Sequence, residues 1–282
     1  MSMSFGERAR AALEAHGPLC VGIDPHPALL DAWGLPQSGD GVREFGLRTV
    51  EAAAGRVGAV KPQVSFFERF GSAGFAALEE VIAAARTAGL LVIADAKRGD
   101  IGTTMDAYAA AWFMPGSPLE ADVLTVSPYL GVGVLGGTFE LAERHGKGTF
   151  VLAATSNPEA AGVQRARTAS GDTVSASVIA EVSARNAAAT ADGEWGSHGF
   201  VVGATVDWAD AGIAPFSPPA PILGPGFGTQ GAGPADLRVR YGQAAAQVFA
   251  SESRSILASG AAGIADAIDA AAAAYREVLQ HG

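Results

Sequence analysis

The chain predicts a (β/α)8 TIM barrel, an α/β fold, formed as a single domain over residues 1–282. Three observations predict it. Eight short apolar runs recur along the sequence, many ending in Gly, Pro or a polar residue, and helical patterns fill most of the intervals. No composition shift or linker divides the 282 residues, and α/β barrels of this length are commonly one domain. Continuous apolar runs suit strands buried on both faces, as in parallel sheets. Eight alternating units fit a closed barrel better than a doubly wound sheet with two exposed edges.

In order, the strand runs are LCVGIDP (19–25), GAVKPQ (58–63), LLVIADAK (90–97), DVLTVSP (122–128), TFVLAATS (149–156), GFVVGAT (199–205), PILGPG (221–226) and QVFASES (247–253). Helices are expected at 41–56, 72–88, 103–113, 133–145, 175–190, 234–246 and 261–279. The segment 72–88 places Phe75, Leu78, Val81, Ile82 and Ala85 on one face, with Glu79 and Glu80 beside it. The sixth connection, 206–212, is short. The proline-rich PFSPPAP (215–221) reads as a rigid entry to the seventh strand. The long polar stretch 157–174 reads as either a mobile lid or an insertion.

Composition narrows the function. Half the residues are apolar and 17% are charged, a globular balance with ample material for a core. A formal charge of −10 argues against a nucleic-acid-binding surface. Cys20 is the only cysteine, so neither an intrachain disulfide nor a Cys-rich metal site is expected. The opening MSMSFGERARAALEAHG is amphipathic and of mixed charge, without an apolar signal core. No apolar stretch reaches membrane-spanning length, since AIDAAAAAYREVL is short and charged. The expectation is a soluble cytoplasmic protein.

The active site of such a barrel lies where strands end and βα loops begin. Those positions hold Asp24, Lys61, Asp95, Lys97, Asp100, Ser127, Ser156, Gln230 and Arg254. Asp24 and Lys61 each precede a proline, which favours extended backbone at the strand tip. Asp95 and Lys97 are two apart and would face the same way on a strand, with Asp100 just beyond. A lysine among carboxylates keeps its proton. It is then a poor nucleophile but a good positioned proton donor. The array suits a reaction in which negative charge develops on a substrate carbon and is quenched by a proton. A structural ion-pair network at the barrel mouth is the alternative that spacing leaves open.

G-x-G-x-x-G occurs twice, at 131–136 and at Gly226, Gly228 and Gly231. Neither follows the first strand of a dinucleotide-binding unit, so a Rossmann site is not expected. The first reads as a tight turn opening a helix. The second occupies the common barrel phosphate site, where backbone N–H groups would cradle phosphate and Arg254 would add a charged fork. A surface salt bridge is the other reading of Arg254. The histidines at 16, 26, 145, 198 and 281 lack ligand spacing, so no zinc site is expected. His26, in DPHP, reads equally well as part of a turn. Trp33, Trp112, Trp195 and Trp208 read as packing residues, and no G-x-S-x-G elbow supports hydrolase chemistry.

The run DAKRGDIG (95–102), after a buried strand, resembles the signature of the orotidine 5′-phosphate decarboxylase family. Asp24 in GIDP, Lys61 in VKPQ, Ser156 in TSNP, the PGFGTQG of 225–231 and Arg254 in SRS follow in that family's order, across all eight strands. KPQ…FFE, VSPYLG and TSNP resemble its longer bacterial subgroup. D-x-K-x-x-D alone also occurs in a wider superfamily of barrels. The resemblance implies decarboxylation of orotidine 5′-monophosphate to uridine 5′-monophosphate, the last step of UMP synthesis, with no metal or organic cofactor. Under it, Asp95 sits against the leaving carboxylate and Lys97 protonates pyrimidine C6. Lys61 and Asp24 hold the ribose hydroxyls and orient Asp95. Ser156 contacts the pyrimidine, and Pro225, Gly226, Gln230 and Arg254 form the phosphate end. Asp100, Ile101 and Thr104 would serve the partner's site in a homodimer. The implied partner molecules are this small substrate and a second copy, with neither nucleic acid nor membrane. The rival readings are a magnesium-dependent decarboxylase of a 3-keto sugar phosphate, a non-catalytic nucleotide-binding barrel and a Lys-based aldolase.

Overall fold

Each apolar run forms one parallel strand in the computed structural model, which describes residues 3–280. They are β1 (Leu19–Ile23), β2 (Ala59–Pro62), β3 (Leu91–Arg98), β4 (Val123–Val126), β5 (Gly148–Ala154), β6 (His198–Val202), β7 (Ile222–Pro225) and β8 (Val248–Glu252). They pair in chain order, and β8 returns to β1 with Leu19 opposite Ala250, closing the barrel. Closure leaves no edge strand to protect.

Helix α1 (Phe5–His16) precedes the barrel. After β1 come α2 (Pro27–Ala32) and α3 (Gly39–Ala53), and after β2 come α4 (Val64–Glu68) and α5 (Gly71–Thr87). β3 leads to α6 (Gly102–Phe113), and β4 leads through a 3-10 turn, Val132–Leu135, to α7 (Gly136–Arg144). α8 (Ala161–Gln164) and α9 (Val174–Ala189) follow β5, and α10 (Asp236–Tyr241) follows β7. After β8 come α11 (Arg254–Leu257) and α12 (Gly260–Gln280). No α-helix lies between β6 and β7, in keeping with the short sixth connection. The helix expected over 234–246 stops at Tyr241, because Gly242 turns to φ +52 and the chain continues as a 3-10 run. The stretch 157–174, read from the sequence as either a mobile lid or an insertion, has local structure of its own. It holds a 3-10 turn, α8 and a bridge between Arg167 and Thr173.

Two apolar layers hold the barrel. The outer one lies between strands and helices and includes Val60, Val92, Leu124, Val151 and the buried face of α5. The inner one fills the barrel with Cys20, Ala59, Leu91, Ile93, Val123, Phe150, Val201, Leu223 and Phe249. α1 plugs the bottom of this inner layer. Ser4 caps it by accepting from the Glu7 N–H, and Phe5, Ala9 and Leu13 recur every four residues on its buried face. The Phe5 ring meets Phe150 edge-on at 6.2 Å.

The tryptophans take the packing roles expected of them. Trp33 packs on Phe45 at 4.3 Å and donates its indole N–H to Leu257 O, and Trp112 is buried. His198 is likewise a core residue. Its ring contacts Thr149 Oγ1 and Glu143 Oε1, both at 3.0 Å, and burial holds its pKa below the usual histidine value. Among the described residues no group of three or more His, Cys, Asp or Glu could hold a metal ion, and no helix is long and apolar enough to cross a membrane. His281 lies outside the described residues.

An ion network braces the barrel bottom beside α1. Asp122 pairs with Arg8, and its other oxygen accepts the Val92 N–H at 2.9 Å. Buried Lys147 bridges Glu120 at 3.0 Å and Asp122 at 3.8 Å. Removing one partner of such a network strands a buried charge, which costs about 3–5 kcal/mol. Asp122→Ala is therefore expected to lower the urea midpoint by a corresponding amount at unchanged m-value, and an unshifted midpoint would contradict the bracing role.

Candidate active site

Strand alternation builds the site. Side chains two apart share a face, so on β1 to β4 and β8 inward rows that are apolar below continue upward to polar residues, while Leu152, Val201 and Leu223 keep β5 to β7 apolar at the cavity. Cys20 leads to Gly22 and Asp24, Ala59 to Lys61 and Gln63, and Ile93 to Asp95. Val123 leads to Thr125, and Phe249 to Ser251 and Ser253. Asp24, Lys61, Gln63, Asp95, Ser251 and Ser253 from these rows line a cavity of about 230 Å³ at the C-terminal mouth of the barrel.

Its centre is Asp95, which is 7% exposed. One carboxylate oxygen accepts from Lys97 Nζ at 2.5 Å and Thr125 Oγ1 at 3.0 Å, and the other from Lys61 Nζ at 3.2 Å. Lys61 Nζ also reaches Asp24 Oδ1 at 3.4 Å and Gln63 Oε1 at 3.3 Å. Asp24, Lys61, Asp95 and Lys97 thus form a chain of alternating charge. Burial works against both central charges, and their partners outweigh it. Asp24 and Asp95 hold the Lys61 pKa above the usual lysine value, and the two lysines hold Asp95 below the usual carboxylate range. A lysine kept protonated is a poor Schiff-base former, which counts against Lys61 as the nucleophile of a Lys-based aldolase. Beneath it, burial raises the Cys20 thiol to about 12, leaving no reactive thiolate.

Lys97 reaches Asp95 by a route that regular strand alternation does not describe. The β3–β4 register slips between Ala94, opposite Leu124, and Arg98, opposite Val126. Within this bulge Lys97 adopts φ +50, the one positive φ at a non-glycine residue among the described ones. Such a conformation costs on the order of 1–3 kcal/mol. Thr125 supports it: its Oγ1 accepts the Lys97 N–H at 2.9 Å while donating to Asp95.

The cavity also meets the glycine loop. Pro225, Gly226, Phe227, Thr229, Gln230, Ser253 and Arg254 line it. Gly226, Gly228 and Gly231 all have positive φ, as an L side chain rarely does. Two loop N–H groups are spent internally, Gly228 on Ala232 O and Gly231 on Gly228 O. The cradle available to an anion is therefore smaller than the glycine count suggests. Arg254 forms no ion pair among the described residues, so the surface salt-bridge reading does not describe it.

Of the residues expected in a site, the structure gathers Asp24, Lys61, Asp95, Lys97, Pro225, Gly226, Gln230 and Arg254 around this cavity. Ser156 lines a smaller adjoining cavity, while its neighbour Thr155 lines both. Asp100, Ile101 and Thr104 lie outside, where the loop enters α6, and Asp100 Oδ1 accepts the Ile101 N–H at 2.8 Å. Ser127 is tied to Arg98 O through its backbone N–H. Gln63, Thr125, Ser251 and Ser253 were not expected. Continuing each inward row by two residues would have found all four.

Known proteins share this arrangement's chain. A family model described as orotidine 5′-phosphate decarboxylase / HUMPS matches residues 17–276. The orotidine 5′-phosphate decarboxylase of Salinispora tropica is 54% identical over 257 residues, 91% of each chain. That of Corynebacterium glutamicum is 50% identical over 264 residues, 92% of each. A Streptomyces avermitilis crystal structure assigned to the same enzyme superposes with a TM-score of 0.93 at 46% identity, covering 99% of this chain and 96% of its own. The Leishmania donovani OMP decarboxylase structure gives a TM-score of 0.78 at 28% identity, covering 98% and 99%. With likeness running through nearly its whole length in both sequence and backbone, the chain belongs to the orotidine 5′-phosphate decarboxylase / HUMPS family.

Proposed function

We propose that this chain decarboxylates orotidine 5′-monophosphate to uridine 5′-monophosphate and CO2. The observation that carries the proposal is Asp95, a buried carboxylate clamped between two lysines at one side of a cavity, with an unpaired arginine and a glycine loop also lining it. The loop and Arg254 take the phosphate, with Pro225, Gly226 and Gln230. Asp24 and Lys61 take the ribose hydroxyls, and Ser156 reaches the pyrimidine from the loop after β5. This seats the substrate carboxylate against Asp95.

A carboxylate pressed against an ionised one is destabilised, and phosphate binding elsewhere in the molecule holds it there. As the C6–carboxylate bond breaks, CO2 leaves and its bonding pair stays on C6. The repulsion then disappears, while the new negative charge lies beside the Lys97 ammonium. Stabilisation that grows toward the transition state is what raises a rate. Lys97 then gives a proton to C6, completing UMP. Its side chain is 47% exposed, so the amine can recover that proton from water. No step calls for a metal or an organic cofactor.

We also propose a homodimer in which Asp100, Ile101 and Thr104 act at the partner's cavity. Their placement outside their own cavity supports this. So do the exposed apolar side chains of the loops after β3 and β4, Ile101 at 60%, Tyr129 at 80% and Leu130 at 51%. A lone buried thiol fits a reducing cytoplasm, where we place the protein as one catalytic domain.

Three outcomes test these readings. Loss of orotidine monophosphate absorbance should proceed with wild type and stop with Lys97→Ala, while UMP binding is largely retained. A wild type without turnover sinks the assignment, and UMP binding without turnover would point to a nucleotide-binding barrel. Turnover should survive excess EDTA, and metal-dependent loss would favour the sugar-phosphate decarboxylase reading. Finally, mixing inactive Asp100→Asn with inactive Lys97→Ala subunits should restore part of the activity. No recovery in subunits shown to exchange would place Asp100 in its own subunit's site.

A further inference from the structure

Another buried carboxylate lies under the glycine loop and takes no part in the charge array. Glu252 ends β8, two residues before Arg254, and is 6% exposed. Ser251 and Ser253 face the cavity, so Glu252, between them, faces the helices. Hydroxyls satisfy both of its oxygens. Oε1 accepts from Tyr275 OH at 2.6 Å and Oε2 from Ser255 Oγ at 2.7 Å. Burial, followed by the hydrogen bond to Glu252, raises the Tyr275 pKa, which keeps the phenol protonated as a donor.

These groups form the seat of the loop. A Cβ built on Gly228 would stand 2.3 Å from Ser255 Oγ and 3.2 Å from Glu252 Oε2, so the loop backbone rests on this pair. The next residue back, Phe227, meets the Tyr275 ring edge-on at 5.6 Å. Arg254 lies between Ser253 and Ser255 in the chain, so anchoring Ser255 also anchors the backbone that presents the guanidinium. Because hydroxyls satisfy Glu252, Arg254 stays free for a ligand.

We propose that Glu252 is a positioning residue for the phosphate end of the site: through Ser255 and Tyr275 it fixes the loop at Gly228 and the set of Arg254. This rests on the reading that the loop and Arg254 bind phosphate. The test is the ratio of UMP to uridine affinity, measured by calorimetry on the full-length protein. Wild type should prefer UMP. Glu252→Ala should weaken UMP about tenfold, the equivalent of about 1.4 kcal/mol, with uridine unchanged. Ser255→Ala and Tyr275→Phe should each do so in part. Glu252→Gln should recover most of the preference, since its amide can accept from one hydroxyl and donate to the other.

Equal weakening of UMP and uridine would show a merely structural role and overturn the proposal. So would an unchanged preference in all four variants. If Glu252→Ala does not fold, Ser255→Ala and the Ser255→Ala/Tyr275→Phe pair decide by the same ratio. A wild type that binds UMP no better than uridine would instead overturn the phosphate reading beneath it.

Discussion

The contact on which the rest of this structure depends is the carboxylate of Asp95 within reach of three donors. A charge buried in a protein persists only if the groups around it replace the water it lost. Here Lys61 comes from β2, Lys97 from β3 itself and Thr125 from β4. No single segment could supply all three at these distances. Three adjacent parallel strands can, because their upper ends converge on one mouth, and closure through β8 keeps that mouth round and the strands in register.

The barrel meets two conflicting demands along the same rows of side chains. Stability needs an apolar interior, and the site needs concentrated charge. Inward rows resolve the conflict by height, with Phe150, Phe249 and their neighbours below and Lys61, Asp95 and Ser251 above. α1 completes the apolar half by sealing the end away from the site. The strain of the Lys97 backbone then sits above a rigid layer, which is where local strain can be tolerated.

Much of this was legible in the residues, for an identifiable reason. Doubly buried strands are continuous apolar runs, and the polar residues that end them mark the mouth. That signal located all eight strands and placed Asp24, Lys61, Asp95 and Arg254. It failed where geometry departs from the regular strand. Nothing in ADAKRGD announces the register slip or the positive φ at Lys97. Thr125 reads as an ordinary β-former until the slip leaves Lys97 N–H without a strand partner. The glycine loop was overread in the other direction, because glycine reports permitted backbone angles but not which N–H groups the loop uses for itself. Short helices such as α2, α4, α8 and α11 were invisible because four to six residues carry too little periodicity.

The two lysines show how environment divides one residue type into two roles. Lys61 has a side chain 6% exposed, and two carboxylates and Gln63 fix it. Its two carboxylate neighbours favour its charged form, and it in turn favours the charged form of Asp95. Lys97 has a side chain 47% exposed, sits on the bulge and makes one ion pair. In the proposed reaction it is the lysine placed to turn toward C6, with water at its side chain. The asymmetry accompanies the bulge in β3, where the register slips and Lys97 takes a positive φ that nothing in the sequence announces.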